Sequence, residues 1–356
     1  MLLTNAEISV ILYPVIRLQK LAWPVTGGAP AGAPFFIPGG ILMPKPFMTY
    51  AQQIQKMKDK HLLIPDEAAA ETALRTIGYF SLVSGYKDLF KNPTTRDYRD
   101  GTTFDDILAL YHFDESLREL TLRHLLHIEQ HIRSELSYAF CQSFGDSQNA
   151  YIDPQNYHFT VVANQREINT LIKKFLEPPL TKKTDYAYIE HHKRVHQNVP
   201  LWVLMNMLTF GTLSKMYALS KPQIQSTVSR EFDSLNERQL AQILQVLTVF
   251  RNVCAHGERL FSYRCARHDI PDLPLHKKLA IPQKGTQYLY GKKDYFSVVI
   301  SFRYLLPHKE FLDYKTHLVR LIEKAINKNQ QISEAKLLEL MGMPLNWKKI
   351  TACKKV

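Results

Sequence analysis

Cysteine is scarce: four residues in 356, at Cys141, Cys254, Cys265 and Cys353, with no regular spacing. That is too few and too scattered for the disulfide framework of a secreted domain, and a reducing, cytoplasmic compartment is expected. Long hydrophobic runs are missing too. The most apolar stretch, Ile8 to Ile16, is interrupted by Pro14 and followed by Arg17 and Lys20, so it is too short to span a bilayer. Glu7 precedes it where a signal peptide would carry basic residues. No segment alternates with period two for long enough to predict a confident strand, which leaves an all-α architecture. No G-x-x-x-x-G-K-[ST] loop occurs, so ATP-driven chemistry has no support. Acidic residues are in deficit, 33 against 45 Lys plus Arg, for a formal charge of +12. A polyanionic partner follows from that balance, although charge alone does not choose between RNA, DNA and an anionic membrane.

What is present divides the chain near residue 45. Residues 1–44 contain the Pro/Gly/Ala run Gly27-Gly28-Ala29-Pro30-Ala31-Gly32-Ala33-Pro34 and read as a disordered extension, with translation expected to begin near Met43 or Met48. From Thr49 the punctuation is helical. Thr49 with Gln52 forms a capping-box pair for a helix to about Lys60, and Asp66 caps a second to Ile77. The aromatic stretch Tyr79 to Tyr86 predicts a turn and short helix packed on the core. After a polar loop, Thr103 opens the longest periodic segment. Phe104, Ile107, Leu108, Tyr111, Leu117, Leu120, Leu125, Ile128, Ile132 and Leu136 recur at helical steps without proline, predicting one long helix, or two joined by a kink, to about Phe140. So long an apolar stripe needs partners, which points to a bundle. Further helices are predicted over 164–175, 201–217, 296–306, 311–327 and 333–341, with a basic loop over 177–200. Ser234 and Glu237 are the capping pair expected to open a helix through Leu240, Ile243, Leu244, Leu247 and Phe250.

That helix runs into Arg251-Asn252-Val253-Cys254-Ala255-His256-Gly257. A permanent cation, an amide and a titratable imidazole within six residues suit phosphodiester chemistry on RNA. The 2′-hydroxyl supplies the nucleophile there, so a protein has only to move protons and stabilise charge on phosphorus. His256 can serve as general base or acid, Arg251 can grip non-bridging oxygens bidentately, and Asn252, four residues before His256, can orient the ring. On an ideal helix, however, Arg251 and His256 sit about 140° apart. They converge where the helix ends or bends near Gly257, where the arginine reaches round, or where two copies share a cleft; the shared cleft is the favoured arrangement. The bland alternative is an arginine and a histidine that cap the last helical carbonyls.

The chain resembles the Abi-like (AbiD/AbiF-type) abortive-infection family of the HEPN superfamily. The resemblance is carried by Lys45-Pro46-Phe47-Met48-Thr49-Tyr50-x-x-Gln53-Ile54, Ile77-Gly78-Tyr79-Phe80-Ser81-Leu82-Val83-Ser84-Gly85-Tyr86 and Phe104-x-x-Ile107-x-x-Leu110-Tyr111-x-Phe113-Asp114-x-x-Leu117-Arg118. It continues through Ile128-Glu129-x-x-Ile132-Arg133, Phe210-Gly211-Thr212-Leu213-Ser214, Arg251-Asn252-x-Cys254-Ala255-His256 and Met341-Gly342-Met343-Pro344-x-Asn346-Trp347. It implies a HEPN-type helical bundle over residues 45–356 and a homodimer that apposes two Arg/His motifs. It also implies a metal-independent endoribonuclease without cofactors, acting as a toxin in phage defence, with a small regulatory RNA as a possible partner. Arg251, Asn252 and His256 are the implied catalytic residues, and Glu129 and Arg133 implied supporting ones, where an i, i+4 ion pair that fixes the bundle competes with a role in the site.

Other candidates are weaker. Cys254, His256, Cys265 and His268 are competent zinc ligands, but their spacing matches no common closed site and zinc would occupy the proposed acid–base group. His192 and His196 lack the glutamate of a helical zinc-hydrolase motif. Arg259, Arg264, Arg267, Lys277 and Lys278, interleaved with Phe261 and Tyr263, form either an RNA-holding strip by phosphate contact and base stacking or a solvated surface. A non-catalytic RNA-binding or sensor protein of a defence or toxin–antitoxin system is the alternative function.

Overall fold

A computed structural model describes residues 46–356 apart from 233, 330, 354 and 356, so the extension expected over residues 1–44 lies outside the described residues. Ten helices of eight residues or more carry the described chain: α1 (Tyr50–Lys58), α2 (Glu67–Ile77), α3 (Phe104–Phe144), α4 (Val162–Leu171), α5 (Phe210–Leu219), α6 (Pro222–Arg230), α7 (Glu237–Ala255), α8 (Tyr295–Leu305), α9 (His308–Lys328) and α10 (Glu334–Met341). The only sheet among the described residues is a two-residue hairpin pairing Gln283–Lys284 with Gln287–Tyr288. The fold is all-α.

Helix α3 organises the rest. Its 41 residues span about 60 Å and continue without a break past Phe140 to Phe144. Thr103 accepts from the Asp106 amide while the Asp106 side chain returns to the Thr103 amide, a reciprocal cap that contributes about 1 kcal/mol. Gly145, with φ 84°, ends the helix. Most of the apolar stripe read from sequence is buried, from Phe104 and Ile107 through Leu117, Leu125, Ile128 and Ile132 to Leu136, with Phe140 extending it, while Leu108, Tyr111 and Leu120 are half-buried and Leu110 and Phe113 join the buried face. Helices α5, α6, α7 and α9 pack along it. Helix α8 is buried on every side, as an all-round apolar sequence requires; the Tyr295 hydroxyl is satisfied by Thr121 of α3 at 3.0 Å and Tyr314 of α9 at 2.8 Å.

Three local expectations are corrected. The cap of α7 is Asn236 with Gln239, not Ser234 with Glu237, because Ser234 is left-handed (φ 70°) and two residues too early to reach the first turn. The segment 201–217 is not one helix: Leu201–Leu204 passes into a short 3₁₀ turn, and Thr209 opens α5 afresh by accepting from the Thr212 amide. The 177–200 loop contains short helical pieces, Pro178–Thr181 and Ala187–His191, the latter running into a π-turn over His192–His196. Ile189, fully buried, anchors that region.

Candidate active site

Helix α7 reaches the motif with its phase fixed by Leu240, Ile243, Leu244, Leu247, Phe250 and Cys254, all buried. Asn252 and His256 therefore face solvent, while Arg251 lies at the edge of the packed face. The helix then stops. His256 is its C-cap (φ −90°, ψ 0°), and Gly257 follows at φ 68°. The Glu258 amide donates to Val253 O at 3.0 Å and the Gly257 amide to Cys254 O at 3.3 Å, the two bonds of a Schellman close. The site is thus a helix end, one of the geometries that removes the angular conflict of a continuous helix. The link between Asn252 and His256 is a backbone one, His256 N–H to Asn252 O at 2.9 Å, where sequence reasoning expected the amide side chain to do the orienting.

Arg251 points across to α3. Its Nε lies 3.6 Å from Glu129 Oε2, in ion-pair range but beyond a hydrogen bond. The other Glu129 oxygen accepts from Arg133 Nη2 at 2.9 Å, and Arg133 also reaches Leu208 O at 3.4 Å. Glu129 is therefore a carboxylate between two guanidiniums, with its side chain only 6% exposed. Burial raises its pKa, and the two arginines oppose that rise. Glu129 Oε2 and the Nε atoms of Arg251 and Arg133 are buried without a hydrogen-bond partner, so the pairing leaves polar capacity unused beside the motif. The i, i+4 pair expected on α3 is present, and it joins the motif arginine as well.

A second buried carboxylate holds the chain just after the motif. Asp114 on α3 is wholly buried and accepts four donors: the Leu260 amide at 3.0 Å, the Phe261 amide at 2.8 Å, Tyr86 OH at 2.7 Å and Arg118 Nη1 at 2.8 Å. Arg118 also reaches Glu258 O at 3.4 Å, and Arg259 bonds Gly85 O. The turn that carries His256 is thereby tied to α3 and to the Tyr79–Tyr86 segment. Sequence reasoning gave Asp114 and Arg118 no role. Their spacing of four on a mostly apolar face was the available signal.

The basic strip is only partly what was expected. Phe261 is buried, stacked on Tyr86 at 6.1 Å, and cannot stack a base; Tyr263 lies edge-on to Phe250 at 5.5 Å. Arg264 pairs with buried Asp294 at 3.2 Å. Arg259, Arg264, Arg267, Lys277 and Lys278 are all exposed, Arg267 and Lys278 with contacts of their own to the protein. Cys254 and Cys265 are buried, burial pushing the Cys254 thiol up to about 12. Among the described residues the one triad of His, Cys, Asp or Glu donors within metal-binding distance lies elsewhere, so Cys254, His256, Cys265 and His268 are not gathered. His191, His192 and His196 cluster ring to ring, 4.9 Å between His192 and His196.

A family model described as Abi-like protein matches residues 72–262, more than half of the chain. The chain belongs to the Abi-like family. No curated protein and no solved structure matches it. In this Abi-like chain the matched span runs from α2 to the tied-down turn, so it contains Asp114, Arg118, Glu129, Arg133, Arg251, Asn252 and His256. Arg264, Arg267, Lys277 and Lys278 lie beyond it, as do the similar stretches at Lys45–Ile54 and Met341–Trp347. Among the described residues no helix is long and apolar enough to cross a membrane.

Proposed function

We propose that this Abi-like protein is a metal-independent endoribonuclease of HEPN type, acting as a toxin in the cytoplasm during abortive infection. The observation that carries the reading is the end of α7, where an exposed imidazole at a helix C-cap stands five residues from a guanidinium anchored on a buried carboxylate. Exposure lets His256 meet substrate, and anchoring lets Arg251 present a fixed positive charge. In the proposed reaction the 2′-oxygen attacks phosphorus and the bond to the 5′-oxygen breaks. His256 accepts the 2′-hydroxyl proton, Arg251 neutralises the non-bridging oxygens, and the 5′-oxygen leaves protonated. A homodimer apposing two motifs would supply one imidazole for each proton transfer. Asn252 completes the motif, Arg133 shares the Glu129 anchor, and the exposed cations from Arg259 to Lys278 offer phosphate contacts to substrate or to a regulatory small RNA.

The test is cleavage of end-labelled RNA in excess EDTA by wild type and His256→Ala. Cleavage by wild type alone, leaving a 2′,3′-cyclic phosphate and a 5′-hydroxyl, is expected. A requirement for Mg²⁺ with 5′-phosphate products overturns the reading. RNA binding retained by both proteins without cleavage by either moves it to an RNA-binding or sensor protein.

A further inference from the structure

Some distance round α3 from Glu129, a different set of side chains converges. His131 and Glu135 are one turn apart on α3, and Glu231 is the residue that closes α6. One ligand atom from each lies within 4.8 Å of the others. Spacing of i, i+4 places His131 and Glu135 on one face, and the packing of α6 against α3 brings Glu231 to it. The His131 ring rests against Phe232 at 4.9 Å, which restricts its rotation.

Charge sharpens the observation. The chain carries an excess of basic residues, 45 against 33, yet among the described residues neither Glu135 nor Glu231 has an ion-pair partner. A cation held between two carboxylates and an imidazole gains attraction from both carboxylates. One imidazole nitrogen with two carboxylate oxygens is a borderline donor set, suited to zinc with water completing the shell. Ligand atoms around tetrahedral zinc lie about 3.4 Å apart, so small rotamer changes close the triad on an ion.

We propose that His131, Glu135 and Glu231 bind one zinc ion that fastens the end of α6 to α3. The inference does not rest on the ribonuclease reading, because neither Arg251 nor His256 belongs to the triad. An ion here would be structural: α6 also packs against α7, so fastening α6 steadies the helix that presents the motif.

The experiment is calorimetric titration of the EDTA-stripped, buffer-exchanged full chain with ZnCl₂, beside His131→Ala, Glu231→Gln and the double variant His192→Ala/His196→Ala. The last controls for the other histidine cluster. Wild type and the double variant should each bind one zinc per chain, while His131→Ala and Glu231→Gln bind at least tenfold more weakly. Glu231 is exposed, so Glu231→Gln keeps the fold, as its circular dichroism should show. Zinc should raise Tm for wild type and leave that of Glu231→Gln unmoved. Absence of zinc binding by wild type, or binding that survives both His131→Ala and Glu231→Gln, overturns the proposal.

Discussion

Glu129 serves two arginines from one buried position, and its charge is what holds them. Glu129→Gln keeps the shape and removes the charge, freeing Arg251 to wander while taking a negative group away from any bound phosphate. The expected outcome is a cleavage rate lower by roughly ten- to a hundredfold with RNA affinity unchanged or tighter. Single-turnover cleavage beside filter binding reads the two separately, and a matched fall in both would make Glu129 a general support of the fold. Asp114 is the opposite case, a residue whose loss is structural first. Asp114→Ala strands two backbone amides, a tyrosine hydroxyl and the Arg118 guanidinium in a dry interior, at a cost of about 3–5 kcal/mol. Urea unfolding measures it, and a loss under 1 kcal/mol would show that the turn is held by something else. Arg251, Asn252 and His256 could be nominated from sequence because they fall within six residues. Glu129 and Asp114 were visible as residues, and Glu129 with its i, i+4 partner Arg133, but not in all that they hold, because Arg251, Leu260 and Phe261 lie more than a hundred residues away along the chain and only tertiary packing brings them together.

The helix ends show how far local chemistry reaches. Thr49, Asp66 and Thr103 each cap the helix they were expected to open, since a cap is a contact across three residues and its whole geometry is written in them. Asn236 caps α7 in place of the expected Ser234 because it stands directly before the first turn and pairs with Gln239 across three residues. The apolar stripes of α3 and α7 were equally legible. What sequence reasoning missed was the break at Thr209, where the run holds no proline and Gly211 sits inside the restarted helix α5, and the helical turns within the basic 177–200 segment. The space around the glycine, and not its conformation, separates two other helix ends. Gly257 after α7 and Gly342 after α10 have nearly the same φ, 68° and 70°, but a Cβ at 257 meets nothing within 4 Å, whereas at 342 it falls 2.2 Å from Asp294 Cγ. Gly257→Ala should cost only the left-handed strain of about 1 kcal/mol, and Gly342→Ala more than ~3 kcal/mol because buried Asp294 must also move. Thermal or urea unfolding of the pair checks it, and equal costs would refute the contact. Gly257→Ala also shifts His256, so its cleavage rate should fall further than its stability.

Over the whole molecule, the buried titratable groups set a stability profile in which two signs compete. Burial raises the carboxyls of Asp114, Glu129 and Asp294, which therefore weaken the fold as pH rises and they ionise. Burial lowers His124 and His276, which weaken it as pH falls and they take up protons. His276 is satisfied as a neutral ring, accepting from the Leu273 amide at Nδ1 and donating to Gly291 O from Nε2, an arrangement a second proton would break. Asp294 gives the cleanest separation of the two effects. Its carboxyl, wholly buried on the Gly291 amide and Arg264, is pushed from 3.8 up to about 6. The folded state thus holds its proton over a pH range in which the unfolded chain has lost it. Stability from that proton is complete below about pH 4 and disappears as pH rises through 6, an effect of order 3 kcal/mol. Asp294→Asn keeps a side-chain acceptor for Gly291 and cannot titrate. Between pH 4 and 6.5 the stability of wild type relative to Asp294→Asn should therefore fall as pH rises, then level off. Urea unfolding at half-unit steps of pH gives the curve. A difference that is flat, or that grows with pH, would mean the Arg264 pair outweighs burial and holds Asp294 charged throughout.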